Sequence, residues 1–282
     1  MKSTAYYKTK GIAINVLINL FLISVAITCI YPLLWMISAS FKTQETIFTN
    51  LSIIPEHFHF GNYVRAWVEG GFGRNFVNSI VYTTSVVFGI IIISSMAAYG
   101  FSRLRFPGRN ILFFIFMAAM MIPIPGSFVA LYVLLNKLHL RNTPFGYILC
   151  MINVGLSTSI FLLKTFFDKM PKELEDAARI DGCSKIGIWW HVALPLAKPV
   201  LAVVIVFNAL NVWNEYILAL IIFDSRQYMP LQVALQTFQG EFVTNYPLLM
   251  AGLTITALPI IIVYLLMQKY IVKGVTAGAL VG

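Results

Sequence analysis

The chain has 282 residues, 59% of them hydrophobic and only 11% charged, at a mean hydropathy of +0.81, whereas about a quarter of an ordinary soluble domain is charged. So little polar surface cannot cover a water-soluble globule, which excludes soluble enzymes, disordered tails and nucleic-acid binders. The net charge of +9 is segregated along the sequence, and in a polytopic membrane protein such segregation reports orientation, not a polyanionic partner.

A bilayer's hydrocarbon core takes about 20 residues of helix. Six stretches meet that length: residues 12–37, 79–99, 110–135, 145–166, 199–223 and 247–267. They are apolar all round and lack the ten-residue alternation of a membrane barrel. The expected fold is therefore an all-α membrane bundle of six helices in a single domain, residues 1–282. The first run is too long for a signal-peptide core and no small-residue cleavage site follows it, so it reads as a retained span. Fourteen of the 20 Lys and Arg residues fall on one side of these spans: the N-terminus, the loops near 103–109 and 164–198, and Lys269 and Lys273. The other six are Lys42, Arg65, Arg74, Lys137, Arg141 and Arg226. The positive-inside rule then puts both termini in the cytoplasm.

Two spans carry breakers. Prolines 123 and 125 interrupt the third and Pro259 falls within the sixth, each removing a backbone hydrogen bond that lipid cannot replace. Kinks are expected there, either simply tolerated or lining a pathway. The fifth span carries Asn208, Asn211 and Asn214 at i, i+3 spacing, with Glu215 beside them and Trp213 and Tyr216 nearby. A carboxylate within a membrane span costs about 2.5–3.5 kcal/mol on insertion scales, which calls for water or a polar partner. Asn and Glu could hold sugar hydroxyls while aromatic faces cover the ring, or the asparagines could bond helix to helix. On the opposite side to the termini, residues 42–78 include Phe60-Gly61-Asn62-Tyr63, Trp67 and Arg74-Asn75-Phe76. That loop reads equally as a docking surface or an aromatic belt. Three cysteines without CxxC spacing and four scattered histidines signal no disulfide framework or metal centre.

The longest loop on the terminal side, about 168–199, opens with Pro171-Lys172-Glu173-Leu174-Glu175-Asp176-Ala177-Ala178 and reaches Gly182. Pro171 suits a first helical turn, the acids suit the positive end of the helix dipole, and Gly182 can supply a left-handed stop. Leu174, Ala177 and Ala178 share a narrow face. A second helix near 184–193 should end in a rigid extended exit at Pro195 and Pro199. Such a helix–Gly–helix unit is either a stiff knob or a hairpin lying on lipid headgroups.

The run Asp176-Ala177-Ala178, three residues, Gly182, nine residues, then Val192-Ala193-Leu194-Pro195 resembles the EAA motif of permease subunits of binding-protein-dependent ATP-binding-cassette importers. Asp176 stands for the first Glu and Val192 for Ile. Trp213-Asn214-Glu215 and Val272-Lys273-Gly274 through Ala279 look like the sugar-uptake, MalG-like branch. The resemblance implies a permease subunit, not an enzyme, that moves a sugar or oligosaccharide across a bacterial or archaeal cell membrane. It implies as partners a second homologous permease, two ATPase subunits and an extracytoplasmic solute-binding protein. Importers of polyols or glycerol phosphate, and an intramembrane enzyme, are the alternatives. ATP would be used by the partner subunits, with no cofactor on this chain, whose sequence holds no GxxxxGK[ST] phosphate loop. By the same resemblance Leu174, Ala177, Ala178 and Gly182, with Leu194 and Pro195, would make the packed contact to the ATPase. Glu175 and Asp176 would cap the helix or pair with basic groups there. Asn208, Asn211, Asn214 and Glu215 are the candidates for the solute pathway on the chemistry of the fifth span alone. The tail from Gly274 is expected to be flexible.

Overall fold

The computed structural model describes residues 2–121, 127–240 and 244–279. Its helices are α1 (Lys2–Ser40), α2 (Thr46–Thr49), α3 (Gly61–Glu69), α4 (Phe72–Arg103), α5 (Arg109–Met121), α6 (Ser127–Lys137) and α7 (Pro144–Lys169). There follow α8 (Glu173–Ile180), α9 (Lys185–Ile188), a π-helical turn at Trp189–Ala193, α10 (Leu194–Leu196), α11 (Lys198–Trp213), α12 (Ile217–Ile222), α13 (Leu231–Ala234) and α14 (Tyr246–Ala279). Among the described residues there is no strand beyond one isolated bridge, Gln239 to Thr244, so the fold is all-α.

Four unbroken helical stretches are long and apolar enough to cross a bilayer: Ile14–Ser40, Phe72–Arg103, Pro144–Lys169 and Tyr246–Lys269. Lys185–Leu196 and Lys198–Trp213 together pass as one broken span, bent by 79°. The third expected span is divided into α5 and α6. Its Pro-rich breaker, residues 122–126, lies outside the described residues. The fifth expected span ends early: α11 stops at Trp213 and the chain restarts as α12, so residues 214–216 interrupt it.

Two further expectations are corrected. The exit at Pro195 and Pro199 is helical, not extended: Pro199 occupies a first-turn position where no backbone N–H is needed, and Pro195 lies near the end of the continuous helical run Lys185–Leu196. The π-turn before Pro195, closed by the Leu194 N–H on the Trp189 carbonyl, makes room where the ring would otherwise strike the preceding turn. The tail expected to be flexible continues α14 as far as Ala279.

The chain forms two compact units. In the first, residues 1–70 with 237–255, the most apolar window of α1 has none of its residues buried, as suits a helix facing lipid. Lys42 is buried and donates to the carbonyls of Asn50 (2.5 Å) and Ser52 (2.8 Å); burial pulls its pKa below the ordinary lysine value. Asn62 donates to the carbonyls of Ser40 and Lys42, and Gln44 joins the Thr244 carbonyl to the Tyr246 N–H. These bonds fold the 42–63 loop onto itself.

In the second unit, residues 71–236 with 256–282, α4, α7 and α11 pack around Tyr82, Val86, Ile90, Tyr147, Met151 and Ile160. Small residues permit the close approach. A Cβ on Gly155 of α7 would lie 2.1 Å from Asn208 Oδ1 and 2.5 Å from Ile90 Cδ1, so this glycine is the point where three helices meet. Replacing Gly155 by Ala is expected to cost about 1–3 kcal/mol by forcing those helices apart. Thermal melting in detergent checks this, with Gly61→Ala, which meets open space, as the silent control.

Candidate functional site

Helix α8 has one buried flank. Glu175 and Ala178 point inward, while Leu174, Ala177 and Ile180 are exposed, Ile180 at 87%. The helix closes on Gly182 at φ +82°, with the Cys183 N–H on the Ala178 carbonyl (2.9 Å) and the Gly182 N–H on the Arg179 carbonyl (3.0 Å). That is a Schellman stop, which favours glycine at the left-handed position. Ser184 then caps the next helix by accepting from the Gly187 N–H at 3.1 Å. Ile188, Trp189, Ala193 and Ala197 carry this second arm into the core. Leu194 is half-buried there, Pro195 is exposed, and Ile186 projects outward.

The buried flank of α8 is tied to the end of α4. Arg103 Nε lies 2.7 Å from Glu175 Oε1, both side chains being more than nine-tenths buried. The Tyr99 hydroxyl donates to Glu175 Oε2 at 3.4 Å, and Arg179 lies 3.8 Å from the same oxygen. Arg103 also donates to the Met170 carbonyl at the end of α7. Beside it in sequence, Ser102 donates to Asp168 (2.6 Å), which also accepts from Lys164 (2.7 Å). Glu175 is thus consumed inside the chain and neither caps α8 nor faces outward. Asp176 is exposed and pairs with Arg179 at 3.0 Å.

The residues expected along a pathway separate. Asn208 is buried in the α7–α11 interface and donates to Ser159 Oγ (3.0 Å) and to the Val204 carbonyl (2.8 Å), a helix-to-helix bond. Asn211 and Asn214 are exposed, and Asn214 Oδ1 accepts from Gln232 (3.0 Å). Glu215 accepts from the Leu218 N–H at 2.6 Å, so the carboxylate serves an N–H in the first turn of α12. Trp213 donates to the Thr256 carbonyl (3.0 Å) and borders an apolar cavity of about 210 Å³ with Pro259 and Thr83. Sequence reasoning missed Arg103, because a lone basic residue at a helix end reads as orientation; its spacing from Glu175 shows nothing until the loop folds back. Arg74, Asn75 and Asn78, where the 42–78 loop runs into α4, donate to the carbonyls of Gln227 and Met229.

Residues 64–277 match the family described as "Binding-protein-dependent transport system inner membrane component". The chain belongs to that family. It is 36% identical over 268 residues to a probable ABC transporter permease, YurM, of Bacillus subtilis, covering 95% of this chain and 88% of that one. It is 32% identical to the arabinooligosaccharide transport permease AraQ of Halalkalibacterium halodurans, covering 92% and 93%. The crystal structure of a bacterial ABC transporter involved in import of the acidic polysaccharide alginate superposes at a TM-score of 0.80 with 26% identity, over 92% of this chain and 96% of that one. The chain is therefore a multi-pass membrane permease, a transport component and not an enzyme, that works with a solute-binding protein and an ATPase.

Removing one member of a buried ion pair strands the other and costs about 3–5 kcal/mol, whereas replacing both by apolar residues costs far less. Glu175→Gln or Arg103→Met is therefore expected to loosen α8 sharply, and Arg103→Met with Glu175→Met to restore much of its order. Hydrogen exchange of the 173–183 amides reads the difference.

Proposed function

We propose that this permease imports a sugar or oligosaccharide, pairing with a second homologous permease and driven by two ATPase subunits, with α8 as the element that couples them. The observation that carries the coupling is the two-sidedness of α8: Leu174, Ala177 and Ile180 are exposed on one flank while Glu175 and Ala178 are fixed to the core on the other. An exposed apolar face on a rigid helix fits a groove in a partner. Leu174 and Ala177 fill the ATPase cleft, Gly182 holds the angle to the second arm, and Leu194 and Pro195 anchor that arm. Glu175 and Ala178 act from behind by holding the helix in place. ATP is bound and hydrolysed by the partner, and this chain carries no cofactor.

The cargo class rests on relatives named for arabinooligosaccharides and alginate and on the chemistry of the broken fifth span. Asn211, Asn214 and Glu215 offer donors and acceptors where helix gives way to loop, and discontinuous helices in transporters place binding groups at such breaks. Asn208 supports this region by locking α11 to α7. The excess of Lys and Arg on one side of the spans supports a cytoplasmic position for α8 and both termini, with residues 1–282 acting as one transmembrane domain.

A cysteine at Ala177 is expected to crosslink to an ATPase subunit in intact cells, and a cysteine at Asn78, at the other end of α4, is not. Asp176→Ala removes only exposed pairing, worth about 0–1 kcal/mol, and should leave uptake nearly intact, while Gly182→Asp should uncouple ATP hydrolysis from uptake. Equal tolerance at both positions would contradict the proposed division. A sugar panel screened for stimulation of ATPase activity with the cognate binding protein tests the cargo; stimulation by amino acids or ions and not by sugars would overturn it.

A further inference from the structure

Beside α8, on the flank away from Leu174 and Ala177, lies a polar cleft of about 550 Å³ lined by Arg103, Arg105, Arg109, Lys172, Arg179 and Lys185. Only two acids share it, Glu175 and Asp176, and both are engaged by Arg103 and Arg179. Arg105, Arg109, Lys172 and Lys185 make no ion pair among the described residues. Four cations thus converge on one concave space from the α4–α5 turn, the α8 start and the α9 start. The turn is fixed: Leu104 is extended, Gly108 takes φ +78°, and Arg109 Nη1 is held by the Leu104 carbonyl at 3.2 Å. Like charges lining one cleft repel one another, so an anion between them is favoured.

The cleft opens onto an adjoining cavity of about 460 Å³ that shares Arg105 and Arg109 and reaches Ile111 on α5. From there Ile111, Phe114 and Ile115 rise along one exposed apolar face, at 68%, 73% and 58% exposure, with i, i+3, i+4 spacing. A charged basin at the foot of a greasy helix face matches an ion with hydrocarbon tails, and a free phosphate would use only the lower half. Basic pockets between membrane helices are suited to such headgroups.

We propose that this cleft holds the phosphate headgroup of an anionic phospholipid, with its acyl chains lying along α5. Occupancy would neutralise the cations behind α8 and steady it, so the bilayer's anionic lipid content would enter the coupling step.

The test uses the full chain purified with its ATPase and reconstituted in bilayer discs containing phosphatidylcholine and phosphatidylglycerol, reading motional restriction of a spin-labelled probe of each lipid. Each basic side chain near the surface contributes a preference of about fivefold for an anionic lipid. Wild type should therefore restrict phosphatidylglycerol at least about tenfold over phosphatidylcholine. Arg105→Gln with Arg109→Gln should abolish most of that preference, Arg105→Lys with Arg109→Lys should retain most of it, and Lys137→Gln should leave it unchanged. If the Gln pair fails to fold by size exclusion and melting, Lys172→Gln with Lys185→Gln gives the same reading. Equal restriction of both lipids by wild type, or an unchanged preference in folded Gln variants, would overturn the proposal. So would displacement of the probe by inorganic phosphate, which would assign the cleft to a soluble phosphate, or by an acidic peptide. The readout needs no transported solute, so its failure leaves the importer reading standing.

Discussion

The Arg103–Glu175 pair is the contact on which the rest of the functional arrangement depends. Two opposite charges buried together gain little net stability, because desolvation offsets most of their attraction. Their effect is directional: neither can turn away without leaving the other uncompensated. With Tyr99 on the carboxylate and the Met170 carbonyl on the guanidinium, the pair fixes α8 against the ends of both α4 and α7. Those two helices form the centre of the larger unit. A force on the exposed face of α8 is therefore delivered into helices that cross the bilayer, without first being spent in bending a connector.

At the other end of the same unit, polar groups placed in apolar helices are each matched to a backbone demand. Glu215 accepts from an N–H opened by the break before α12. Trp213 reaches the Thr256 carbonyl three residues before Pro259, which weakens the helix ladder around it. Asn208 fills the space that Gly155 leaves. Helix breaks in a membrane are stable only where their freed groups find such partners.

How legible this was in the sequence follows from the range of each interaction. Local signals are legible: the acids and Gly182 bracket α8 as the helix dipole and the left-handed stop require, and four of the six long apolar runs form unbroken long helices. Distant ones did not. Leu174, Ala177 and Ala178 look alike on a helical wheel, yet Ala178 turns inward because Arg103, 72 positions before Glu175, pulls that flank onto α4. The acids of the first turn also look alike, and only the folded chain separates the buried Glu175 from the exposed Asp176. The prolines read as stops because Pro breaks a helix interior, whereas here Pro199 begins a helix and a π-turn absorbs the misfit at Pro195. The asparagine row keeps its i, i+3 spacing, but Asn208 is buried against α7 while Asn211 and Asn214 are exposed, so the row does not face one space.

The central claim is that α8 and α4 move as one body. Pulsed electron-spin measurement of the distance between labels at Asp176, an exposed position of α8, and Phe88, an exposed position of α4, in the assembled transporter tests it most directly. The account predicts a single narrow distribution that stays in place between the nucleotide-free and ATP-bound states and broadens in Glu175→Gln. A distance in the unmodified pair that shifts by several ångströms on ATP binding would show that α8 moves independently of α4 and would contradict the account.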